Sequence, residues 1–142
     1  MPRAQSLADQ RLTLLAETVI TTAVTAVVTT PVILAAGLKA LALQARFQYG
    51  ATGTTVKVWV QTSLDKGASW TDVACFAFTT ASARKVATVA MAALAPAAAS
   101  DGALADDTVL NAPLGDRVRV KYTTTGTYAT NTLLDVWAVT KG

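Results

Sequence analysis

Residues Thr54–Thr80, TTVKVWVQTSLDKGASWTDVACFAFTT, hold two alternating apolar runs joined by Ser63-Leu64-Asp65-Lys66-Gly67-Ala68-Ser69-Trp70. Such runs around a turn rich in Ser, Asp and Gly predict a β-hairpin. In the turn, Asp65 can accept backbone N–H bonds from its own loop, Gly67 can take positive φ, and Ser63 and Ser69 can close local bonds. Trp70 re-enters the sheet and pins the loop to the core. In the first arm Val56, Val58 and Val60 share one face, and Lys57, Trp59 and Gln61 share the other. This makes Trp59 a candidate exposed aromatic, with packing under a loop or against a neighbour as the equal alternative. In the second arm Val73–Phe78 is apolar on both faces, as in a strand covered on both sides.

The remainder of the chain repeats this grammar. Lys39–Tyr49 alternates, with Leu41, Leu43, Ala45, Phe47 and Tyr49 on one face. Arg117–Thr123 places Val118, Val120 and Tyr122 inward and the basic side chains Arg117, Arg119 and Lys121 outward. Leu133–Thr140 puts Leu134, Val136 and Ala138 on one face. On its other face lies Trp137, a second candidate exposed aromatic. Glu17–Thr30 and Ala83–Met91 read as further strands, whereas Ala92–Asp107, broken by Pro96 and Gly102, reads as a long loop. Met1–Ala16 reads as an N-terminal arm with a short amphipathic helical turn, carrying Arg3 and Arg11 as candidate partner contacts. The expected organisation is all-β: an arm over 1–16, then a single β-sandwich over 17–142. It has about eight antiparallel strands, with the jelly roll as one form of it.

Composition narrows the function classes. The 142 residues are 52% hydrophobic and 15% charged, with net charge +3, against about a quarter charged in ordinary domains. So sparse a charge suits a surface covered by neighbours. The mild positive balance is no nucleic-acid signature, which needs clustered Lys and Arg. The uncharged run Thr18–Leu38 is long enough to span a bilayer. Its threonines, β-branched residues and Pro31 favour strands instead, so no membrane partner is expected. There is no histidine and one cysteine, Cys75, which excludes imidazole chemistry and zinc sites of the Cys/His kind. The Asp106–Asp107 pair lies in the loop without EF-hand spacing. No phosphate-binding Gly-rich motif occurs. No catalytic residue, metal, cofactor or small-molecule substrate is expected, and the chain reads as a non-enzyme. The outward stripe Arg117, Arg119 and Lys121 reads either as a solvated strand face or as a dock for an acidic protein surface.

The turn resembles the Asp-box pattern S-x-D-x-G-x-[ST]-W at every defined position, through Ser63, Asp65, Gly67, Ser69 and Trp70. That resemblance implies a structural hairpin turn without a catalytic part. More broadly, VWVQTSLDKGASWTDVACFAF (58–78), ASARKV (81–86) and DGALADDTVLNAPLGDRVRVKYTTTGTY (101–128) resemble small structural proteins encoded among the head genes of tailed bacteriophages. The resemblance implies a virion component of the capsid decoration (cement) type that forms homo-oligomers and bridges major capsid subunits at the capsid surface. A neck or tail component is the alternative within virions. A carbohydrate-binding sandwich using Trp59 or Trp137 as a stacking platform is the alternative outside them.

Overall fold

The computed structural model describes residues 10–33 and 39–141, with side chains for 12–33 and 39–140. Eleven strands follow in order: β1 (Gln10–Val19), β2 (Val24–Val28), β3 (Val32–Ile33), β4 (Ala40–Gln48), β5 (Ala51–Thr52), β6 (Thr55–Ser63), β7 (Thr71–Phe78), β8 (Ala83–Ala90), β9 (Arg117–Thr125), β10 (Tyr128–Ala129) and β11 (Leu133–Lys141). They form an all-β sandwich of two main antiparallel sheets, ordered β1-β11-β4-β8 and β2-β9-β6-β7. β3 prolongs β2 along β9, and β5 pairs with β10 in a small third sheet.

The pairings are nested. β6 pairs with β7, β4 with β8, β2 and β3 with β9, and β1 with β11, all antiparallel. A long ribbon so paired, wound so that its strands alternate between two sheets, is an eight-stranded jelly roll. Alternation explains which residues meet between the sheets. Leu41, Leu43, Ala45 and Phe47 of β4 face Val56, Val58 and Val60 of β6 across the core, with Val118, Val120, Leu134 and Val136, all at most 2% exposed. Phe47 stacks on Phe78 at 5.2 Å and meets Tyr128 edge-on at 5.6 Å, while the Tyr128 hydroxyl donates to the Thr79 carbonyl at 2.7 Å.

Two features differ from the sequence-based expectation. The expected arm does not reach residue 16, because Gln10–Ala16 belong to β1, and Leu15 and Ala16 are buried in the core. Those residues have a partner in β11 that satisfies their backbone groups, so no helical turn forms there. Residues 1–9, including Arg3, lie outside the described residues, as does the side chain of Arg11. The expected single strand Glu17–Thr30 is also two strands, one in each sheet, with Ile20–Ala23 as the corner. Pro31 then separates β2 from β3 on an edge of the second sheet, where its missing N–H breaks no ladder. No helix among the described residues is long and apolar enough to cross a membrane.

Candidate functional site

The turn between β6 and β7 spends its polar groups on itself. Asp65 Oδ1 accepts from Ser63 Oγ at 2.9 Å and from the Ser69 N–H at 2.8 Å, and Oδ2 accepts from Ser69 Oγ at 2.5 Å. Ser63 Oγ in turn accepts the Gly67 N–H at 2.8 Å. The Ser69 hydroxyl and N–H, with the Ser63 hydroxyl, hold the Asp65 carboxyl below its ordinary range. Trp70 is buried, and the Arg119 guanidinium lies 4.3 Å from its ring centroid. The polar residues of the turn thus face one another across it.

The outer face of β9, β6 and β7 is covered by residues 100–110, while Val28 and Ile33 at the β2–β3 edge of the same face stay exposed. Asp72, fully buried, accepts Gln61 Nε2 at 2.8 Å, Ser100 Oγ at 3.0 Å and the N–H groups of Gly102, Ala103 and Leu104 at 2.9–3.1 Å. Burial alone would raise its pKa, but the bonds from Gln61, Gly102, Ala103 and Leu104 outweigh that and lower it. Next to it Asp101 pairs with Lys121 at 2.7 Å and Arg119 at 3.8 Å. Further along, Asp106 pairs with Lys57 at 3.2 Å and Asp107 with Lys85 at 2.9 Å. Thr108 and Leu110 hydrogen-bond to Cys75 and Val73, closing the β7 edge. Burial there pushes the Cys75 thiol up to about 11.

This lid corrects two expectations. Trp59 is not an exposed aromatic: it is 7% exposed beneath the loop, and its Nε1 donates to the Leu104 carbonyl at 3.0 Å. Trp59 therefore offers no stacking platform. The basic stripe is not open to an acidic partner either. Arg119 and Lys121 are turned under Asp101, with side chains 14% and 16% exposed, while Arg117 lies 3.5 Å from Asp116. Alternation along a strand tells which face a side chain takes and is silent on what covers that face. The aspartates Asp101 and Asp106 in the unpatterned loop are the signal that points to a cover, since Lys57, Arg119 and Lys121 occupy outward positions of β6 and β9.

The outer face of β1-β11-β4-β8 has no such cover among the described residues. Its register sets the side chains in rows across the sheet. One row reads Leu12, Val139, Ala42, Thr88; the next reads Leu14, Trp137, Gln44, Val86. Leu12 is 66% and Val86 69% exposed, and Trp137 is half-buried between them. Together these rows line a shallow trough of about 700 Å³. Beyond it comes a charged row, Glu17, Asp135, Arg46, Arg84. Arg46 Nε and Nη2 donate to Asp135 Oδ2 at 3.1 and 2.8 Å, and Arg84 Nη1 donates to Gln44 Oε1 at 2.9 Å. Monomeric proteins seldom expose a large contiguous apolar face, which makes this one the candidate contact surface. Of the sequence-predicted site residues whose side chains are described, only Trp137 lies on it.

Among the described residues no three His, Cys, Asp or Glu side chains gather as a metal site. No protein-family model and no curated protein matches this chain.

Proposed function

We propose that this protein is a non-enzymatic structural component of a tailed-phage virion that decorates the capsid and bridges major capsid subunits. The observation that carries the reading is the inequality of the two outer faces. One is covered over β9, β6 and β7 by the chain's own loop, and the other offers Leu12, Leu14, Val86, Trp137 and Val139 to a neighbour. A sandwich finished on one side and open on the other suits a place in a shell. The sparse charge of the chain and its resemblance to phage head proteins agree with this. Each contact adds a modest buried area worth roughly 25 cal/mol per Å² before the cost of association. Many copies acting together then resist the pressure of packaged DNA.

Electron-microscopy density of the particle that carries the chain tests this directly. The expected result is one layer of copies over the joints between capsomers, with occupancy reduced by Trp137→Lys. Density at the neck or tail, or particles lacking the chain, would overturn the reading.

A further inference from the structure

We infer that the occupant of the open β1-β11-β4-β8 face is a second copy of this chain, docked about a two-fold axis parallel to the strands. The inference rests on the proposed function only in taking this face as the contact surface; the choice of occupant comes from the charged row. Glu17 and Asp135 fill the β1–β11 half of that row, and Arg46 and Arg84 fill the β4–β8 half. Two sheets packed face to face lie about 10 Å apart with their strands roughly aligned.

A two-fold axis along the strands reverses strand order in the partner while keeping each row opposite itself. Glu17 then meets Arg84 of the other copy, twice over, and the Asp135–Arg46 pair meets its own reverse. The same operation sets Val86 opposite Leu14 and leaves Trp137 in the middle of the apolar rows. An in-plane axis across the strands would instead set β1 on β1 and β8 on β8, pairing like charges. The row is therefore self-complementary about one axis only.

Glu17 forms no ion pair among the described residues, and Arg84 reaches only Gln44. Both are exposed and available to a partner. Four strands spaced about 4.8 Å apart and roughly nine residues long present on the order of 500 Å² per copy. Two such faces reach about 1,000 Å², the lower bound of a specific interface. Self-association should accordingly fall in the micromolar range.

Sedimentation equilibrium of the full chain from about 1 to 500 μM provides the test, a range that brackets micromolar dissociation. Expected is a reversible dimer. Glu17→Arg or Arg84→Glu alone should weaken it at least about tenfold, since each sets two like-charge contacts opposite one another. An equimolar mixture of the two variants should restore a heterodimer to within roughly threefold of the parent. In that heterodimer the two substituted side chains meet in one contact with their charges exchanged, and native Glu17 meets native Arg84 in the other. A monomer throughout the range, unchanged dimerisation of either variant, or no recovery on mixing would each overturn the inference. Circular dichroism of both exposed-site variants confirms the fold before they are compared. A monomer that still occupies particles through Trp137 would leave the decoration reading standing with the major capsid subunit as occupant. A dimer that never binds particles would do the reverse.

Discussion

Among the described residues Asp72 accepts hydrogen bonds from more donors than any other carboxylate. Its carboxylate takes hydrogen bonds from five donors, three of them successive backbone N–H groups of the loop that covers the sheet. An amide there would offer a single acceptor oxygen and set its own N–H groups against donors. Asp72→Asn should cost roughly 2–4 kcal/mol, read from urea midpoints at pH 7. The folded pKa is lowered from 3.8, so this stabilisation is complete above that value and is lost as the pH falls through the folded pKa. The gap between parent and variant should therefore narrow in acid, and a gap constant down to pH 2 would refute the assignment. None of this is legible in the sequence. Asp72 reads there as one polar residue in an apolar strand, because four of its five donors come from a loop without periodicity. For the same reason the sequence leaves Trp59 open between exposure and packing under a loop, and the structure shows the second.

Single elements are read more completely. The strands β4, β9 and β11 alternate strongly and each buries the side chains its pattern selects, and β7, apolar on both faces, is buried on both. The register shift between Val60 and Gln61 leaves no mark in the pattern. Nor does the extension of β1 back to Gln10, since Leu12, Leu14 and Leu15 suit a helical turn equally well. Turn chemistry supplies a contrast between two glycines. Gly67 has φ +90°, yet a Cβ there would meet nothing closer than Trp70 at 3.7 Å. Gly67→Ala should thus cost only the left-handed backbone penalty, about 1–2 kcal/mol. A Cβ on Gly115 would fall 1.7 Å from the Ser63 carbonyl oxygen, where the β9 approach passes under the hairpin. Gly115→Ala should cost at least about 3 kcal/mol or prevent folding. Equal urea midpoints for the two variants would contradict the close approach.

At the scale of the whole molecule, strand count and spacing lead to a sandwich of about eight strands, whereas the pairing order is beyond reach. Strands distant in sequence recognise one another only through burial and register, and neither leaves a local signal. The two outer faces illustrate the same limit. Both alternate, and only the folded chain reveals that residues 100–110 turn toward one of them.

The nested pairing also orders events in time. The β6–β7 hairpin closes across the short stretch between Ser63 and Thr71, whereas β1 and β11 join Gln10 to Lys141. Closing the longer loop directly costs roughly 2.5 kcal/mol more in chain entropy. The ribbon should therefore zip from the β6–β7 turn outward, each pair shortening the closure left to the next. In folding kinetics, Asp65→Ala should slow folding with a φ-value near 1, and Leu15→Ala in β1 should mainly speed unfolding, with a φ-value near 0. The reverse assignment would refute the zipper. The strand that joins last is also the first to let go, so the seam between β1 and β11 sets the lifetime of the native state. A second copy seated across that seam would act as a clasp.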